Sequence, residues 1–171
     1  MIYALGLGSN LPSRYGSQYL TLKKSIQRIR ENNITVLRIS KLYITQPMGM
    51  KGNNWFLNGA IIISTQLKPF NLLMTLKKIE REMGRTVYKI NTARPCDLDI
   101  LLTNKNTIFN NTHGTHTIII PHQRMHERAF VLRPLMDICP NWNHPIFNKS
   151  IKSINLSQEL AQKITVYRNN L

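Results

Sequence analysis

"ARPCDLDIL", residues 93–101, puts two carboxylates side by side in a chain that has few of them. Asp97 and Asp99 flank Leu98, just after Arg94 and just before an apolar run, and the whole chain has eight Asp and Glu against 23 Lys and Arg. "DLDILL" reads as a strand, in which side chains at i and i+2 share one face with their Cα atoms about 6–7 Å apart. Like charges held that close repel. A metal ion between them would turn the repulsion into attraction, and Mg²⁺ in particular takes one or two carboxylates together with phosphate oxygens and water. The competing structural reading is a pair of solvated aspartates on an edge strand.

The same strand decides the fold, because it closes a pattern that starts at the N-terminus. "IYALGL" (2–7) is a buried strand running into the turn "GSN". A helix follows over 16–31, with Tyr19, Leu22, Ile26 and Ile29 on one face and Ser17 as cap. "ITVLRISKLYIT" (34–45) alternates and is rich in β-branched residues, so it is expected to be one strand. Pro47, Gly49 and Gly52 make 46–54 a loop, and "WFLNGAIIISTQ" (55–66) is the third strand. Pro69 sits at a helix first turn, and the stripe Leu72, Leu76, Ile79, Met83 stops at Gly84. Residues 85–96 lack a period and carry Arg85, Lys89 and Arg94, the pattern of a mobile basic loop. With "DLDILL" as fourth strand the order is β-α-β-β-α-β, an α+β, ferredoxin-like arrangement with an antiparallel sheet and two helices on one face. Beyond it the sequence predicts a strand over 117–122, a helix over 127–138 and a weaker helix near 157–164.

At 171 residues the chain is expected to be one domain, 1–171, with a core of its own. No apolar run approaches the roughly 18 residues of a membrane span, and "MIYALGLGSN" lacks the features of a signal peptide. Cys96 and Cys139 form no CxxC, which argues for a reducing compartment, and the expected location is the cytoplasm. The net charge of +15 is spread without a long basic run, which argues against nucleic acid as the main partner; a bias toward Asn, Ile and Lys could arise from coding composition alone, and a basic surface would equally attract a polyphosphate.

Two further groups carry chemistry. Phe56 and Asn58 share a strand face, where an aromatic ring can stack on a planar heterocycle and a carboxamide can read its edge. His122 closes a predicted strand, and Arg128 and Phe130 open the next helix. An RNA-binding ferredoxin-like module would show aromatic signatures on its two central strands, and neither "IYALGL" nor "DLDILL" has them. Another DxD enzyme using a nucleotide, such as a sugar transferase, is the second alternative.

Over roughly residues 3–140 the chain resembles 6-hydroxymethyl-7,8-dihydropterin pyrophosphokinases (HPPK), enzymes of folate biosynthesis. The likeness rests on "GLGSN" (6–10), "YITQPMG…WFLNGA" (43–60), "ARPCDLDIL" (93–101) and "PHQRMHERAFVLRPL" (121–135), in family order. The resemblance implies a ferredoxin-like core that binds MgATP as co-substrate first and the pterin second. It implies that Asp97 and Asp99 hold two Mg²⁺ ions and that Arg85 and Arg94 act as catalytic arginines. Phe56 and Phe130 would sandwich the pterin, with Asn58 and the backbone of Thr45 and Met48 at its edge. Glu80, Arg85, Arg94, Ile100, His122 and Arg128 would line the nucleotide site. Expected partners are these small molecules, with no nucleic acid and no membrane. The chain is expected to be a monomer, with association with dihydropteroate synthase left open, and 143–171 to be a C-terminal extension.

Overall fold

The computed structural model describes residues 1–46, 55–86, 92–104, 109–113, 116–158 and 164–168. Its organising element is β1 (Ile2–Ser9), whose two faces differ in bulk. Tyr3, Leu5 and Leu7 point one way into a packed core, while Ala4, Gly6 and Gly8 leave the other face low. β1 pairs antiparallel with both β4 (Phe56–Ser64) and β5 (Asp97–Thr103), so it is central and β5 lies at one end of the sheet.

The bulky face carries the two helices read from the sequence. α1 (Gln18–Glu31) starts where the Ser17 hydroxyl accepts the Leu20 N–H at 3.4 Å, and it buries Leu22, Ile26 and Ile29. α2 (Pro69–Glu82) has Pro69 in its first turn and buries Leu72, Leu76 and Ile79 completely. It stops at Met83 and Gly84, whose φ of +97° is a left-handed conformation that glycine adopts without strain.

The single strand expected over 34–45 is two strands, β2 (Thr35–Ile39) and β3 (Leu42–Thr45), both paired with β4. Ile39 faces Ile61 and Tyr43 faces Asn58, so four residues on one strand span three on the other. The extra residue is absorbed at Ser40, whose backbone N–H reaches Ala60 O and whose hydroxyl accepts the Ala60 N–H, both at 2.9 Å. Leu42 folds tightly over Gly59, where an added Cβ would come within 2.9 Å of its side chain. Across the sheet the order is then β3-β4-β1-β5 with β2 also on β4, which is the ferredoxin-like order.

Later elements depart further from expectation. Where a lone strand was predicted over 117–122, a hairpin forms from β6 (Phe109–His113) and β7 (His116–Ile120). β6 is "FNNTH", polar and without alternation, so periodicity could not reveal it. The predicted 127–138 helix is a 3₁₀ turn, Met125–Glu127, followed by α3 (Ala129–Ile138). α3 covers the low face of the sheet, with Leu132 and Leu135 packed near Ala4 and Ala60, so helices lie on both faces. After the short hairpin of β8 (Asn143–His144) and β9 (Lys149–Ser150) comes α4 (Ile151–Gln158), earlier than the helix predicted near 157–164. Ile151 and Ile154 decide its position by packing into the α3 cluster. The last described strand, β10 (Ile164–Arg168), adds antiparallel to β3. Among the described residues no helix is long and apolar enough to cross a membrane.

Candidate active site

The glycines of β1 create the site. Gly8 pairs with Asn58 on one side and Asp97 on the other, and Gly6 pairs with Ala60 and Asp99. Adjacent strands lie about 4.8 Å apart, so Asn58 and Asp97 stand about 10 Å apart across a floor without side chains. A Cβ at Gly8 would lie 3.4 Å from Asn58 Oδ1 and 3.6 Å from Asp97 Cβ, filling the space between them. Phe130 and Val131, at the start of α3, close the cleft from above. Asn58, Asp97, Asp99 and Phe130 thereby line one cleft, and sequence motifs far apart in the chain meet there.

Asp97 is held by two arginines. Arg85 Nη1 lies 2.5 Å from its Oδ1 and Arg94 Nη2 lies 2.7 Å from its Oδ2. Burial alone would push this carboxyl up, but the guanidinium charges of Arg94 and Arg85 outweigh it and hold Asp97 below the usual carboxylate range. Asp99 goes the other way: burial, and then the charge of Asp97, raise it. The repulsion foreseen from the DxD spacing is thus relieved on one member by arginine and carried by the other as a tendency to keep its proton.

Below them Glu80 is fully buried, which pushes its carboxyl up. Its Oε1 takes the Lys77 ammonium at 2.8 Å and the Leu98 N–H at 2.7 Å, while Oε2 lies 3.1 Å from Arg85 Nη1. Glu80 therefore holds the outer edge of β5 and the guanidinium of Arg85 together, from underneath. Ile100 faces the core with Leu98, 6% exposed, on the side of β5 away from the two aspartates. Its side chain is not brought into the cleft. His122 donates its backbone N–H to Leu101 O at 2.7 Å, and its Nδ1 accepts from the Arg124 N–H at 3.2 Å. Burial lowers the His122 imidazole below its ordinary value, against the pull of Asp99.

On the other flank Asn58 Nδ2 donates to Thr45 Oγ1 at 2.8 Å, and both residues are buried. Arg94 lies over the Phe56 ring and Arg128 over the Phe130 ring, each 5.7 Å from the centroid. Met48 lies outside the described residues. Among the described residues no cluster of three or more His, Cys, Asp or Glu side chains could hold a metal. Two carboxylates beside an open cleft nevertheless fit Mg²⁺, which fills the rest of its shell with phosphate oxygens and water.

Three features escaped the sequence reading. The glycines at 6 and 8 repeat the i, i+2 spacing of the aspartates, a signal that was present and unused. Tyr43 sends its hydroxyl to both oxygens of Asp137 at 3.0 and 2.8 Å, tying β3 to the far end of α3; burial, then this acceptor, push the phenol up to about 12. Asn10 fastens the backbone of Arg94.

Residues 4–140 match the family model described as 7,8-dihydro-6-hydroxymethylpterin-pyrophosphokinase (HPPK). The chain is 40% identical over 136 residues to a 2-amino-4-hydroxy-6-hydroxymethyldihydropteridine pyrophosphokinase of Bacillus subtilis, covering 79% of this chain and 76% of that protein. The enzyme of the same name from Porphyromonas gingivalis is 34% identical over 148 residues, 84% of this chain and 94% of that one. A folate synthesis bifunctional protein of Arabidopsis thaliana is 42% identical over 135 residues, 78% of this chain, which spans only 26% of that longer protein. A Plasmodium falciparum HPPK-DHPS structure with pteroate superposes with a TM-score of 0.72 at 14% identity, over 91% of this chain and 44% of that one, and so supports the fold. By the family match and the bacterial relatives together, this chain belongs to the HPPK family.

Proposed function

We propose that the chain transfers pyrophosphate from ATP to the hydroxymethyl group of 6-hydroxymethyl-7,8-dihydropterin, releasing AMP, as a Mg²⁺-dependent enzyme working through this cleft. Membership of the family puts the chain at the pyrophosphokinase step of folate biosynthesis. The observation that carries the detailed reading is the row Asn58–Gly8–Asp97: a heterocycle-reading carboxamide and a charge-handling carboxylate share one flat floor.

In this reading Phe56 and Phe130 hold the two faces of the pterin, and Asn58, beside Thr45, pairs with its edge. Asp97 and Asp99 would hold two Mg²⁺ ions, which supply charge neutralisation on the triphosphate and a lowered pKa for the attacking hydroxyl. The protein's own contribution is placement and charge. Arg85 and Arg94 leave Asp97 for the phosphates and take up charge as the bond to the leaving AMP breaks. His122 and Arg128 line the nucleotide, and Glu80 keeps Arg85 at the edge of β5.

The chain is read as one domain acting in the cytoplasm. The partner we propose is dihydropteroate synthase, with which HPPK is joined in the HPPK-DHPS relatives.

The test is the identity of the nucleotide released from ATP, Mg²⁺ and the pterin. Attack at the β-phosphorus leaves AMP, one per pterin diphosphate, and none when pterin is omitted or EDTA added. ADP as the product, or AMP without pterin, sinks the proposal.

A further inference from the structure

Ladder pairing between β1 and β5 ends at Gly8 and Asp97, and the next residues of the second strand include Pro95, which has no N–H to continue it. The join is completed two residues on by a side chain. Asn10 donates its backbone N–H to Arg94 O at 3.1 Å, and its Oδ1 accepts the Arg94 N–H at 2.7 Å. The carboxamide oxygen therefore serves the Arg94 N–H just past the point where Pro95 interrupts the ladder. Asn10 is 2% exposed, so water does not compete for these bonds.

Held in this way, Arg94 sends its guanidinium to Asp97 at 2.7 Å and lies 5.7 Å from the centre of the Phe56 ring. We propose that Asn10 is a positioning residue for the reaction: its two bonds fix the Arg94 backbone, so that the guanidinium is delivered between the aspartate and aromatic sides of the cleft. This rests on the reading of Arg94 as a catalytic arginine. The residue type suits the task. Aspartate would offer the same acceptor but add a third negative charge beside Asp97 and Asp99, and an apolar residue would leave the Arg94 N–H unpaired. Asn10 Nδ2 is buried with no partner among the described residues, a loss the fold accepts to have an uncharged acceptor at this point.

A double-mutant cycle read in single-turnover rates tests the inference on the full chain. Asn10→Ala slows the chemical step about tenfold to a hundredfold, the cost of misplacing a reacting group by an ångström or so, with ATP-analogue and pterin affinities nearly unchanged. In an Arg94→Ala chain the backbone bonds remain but the side chain they aim is gone, so adding Asn10→Ala slows the reaction no further. An equal slowing in both backgrounds means that Asn10 only stabilises the fold, and overturns the proposal while leaving the role of Arg94 intact. A near-normal rate for Arg94→Ala alone removes Arg94 from catalysis, and the proposal with it. If the alanine chain folds poorly, Asn10→Ser, which keeps a shorter acceptor, carries the same cycle with the same two outcomes.

Discussion

Replacing Arg94 with methionine separates the two tasks assigned to its guanidinium. Arg94 and Arg85 occupy both oxygens of Asp97, so a divalent cation reaching that carboxylate must displace them. The side chains of Arg94 and Asp97 are 19% and 17% exposed, which limits solvent screening of the pair. Two unit charges about 4 Å apart attract by roughly 4 kcal/mol at an effective dielectric of 20. Rehydration of the freed guanidinium returns most of that, leaving about 1–2 kcal/mol as the net hindrance to the metal. Arg94→Met should therefore tighten Mn²⁺ binding to the nucleotide-free protein about 5- to 30-fold. The free ion is counted by its electron paramagnetic resonance signal during titration. Repeating the titration in high salt removes the part due to long-range charge and leaves the contact part. The same variant should turn over more slowly by a hundredfold or more, on the order expected when a transition-state charge partner is lost. An Mn²⁺ affinity that is unchanged or weaker refutes the exchange, and with it the view that the arginines stand in for metal on Asp97.

Asp99→Asn should raise the unfolding midpoint of the ligand-free chain by about 2–4 °C, the shift that 1 kcal/mol makes at this size, while abolishing turnover. Because the folded state raises the Asp99 pKa, its penalty is full above that raised value and vanishes below the unfolded one. The stabilisation, followed by scanning calorimetry, should therefore shrink as the solution is acidified; a constant gain would mean that ionisation is not its source. Asp97 has the opposite sign: its depressed pKa contributes stability above the unfolded carboxylate value that is lost as pH falls through the folded one. Asp97→Asn should accordingly destabilise the chain at neutral pH, and a rise in its melting point would contradict the ion pairs. Asn58→Ala leaves Thr45 Oγ1 without its donor and should weaken pterin binding by about 5- to 150-fold, from the usual 1–3 kcal/mol of an unpaired buried group, with ATP-analogue binding little affected. Equal losses for both ligands would make Asn58 structural. Pterin affinity should rise once an ATP analogue and Mg²⁺ are bound, since ordering has already been met by the first ligand; calorimetry giving one affinity in both states argues against ordered binding.

Where a residue announces itself by its own periodicity, the sequence was readable. The stripe Leu72, Leu76, Ile79 places α2 within a residue of its real ends, because each position must face the same core. The break at Ser40 was not readable, since it depends on one hydroxyl meeting a backbone N–H twenty residues away. β6 depends in the same way on its partner, not on pattern, whereas the β-branched run of β10 carried a strand signal that went unread. In the site, the DxD spacing carried its own electrostatic argument. That two arginines hold Asp97 did not follow from it, because Arg85 reaches the carboxylate through the packing of α2 on β5. Asn10 gave no signal of its own: a buried asparagine matters through the bonds it makes, and those join residues 84 positions apart.

The strand β10 has a consequence for solubility. It occupies the side of β3 not used by β4, with Ile164 opposite Thr45 and Val166 opposite Tyr43. Without it, β3 would present a row of open amide and carbonyl groups, a template on which a second unfolded or partly folded chain could add. β10 substitutes an outer edge on which Arg168 stacks over Tyr19, at 4.7 Å from the ring centre, so that a bulky cation guards the sheet margin. Shortened chains lacking residues from 164 onward should precipitate on concentration, because the segment shields the sheet from self-association.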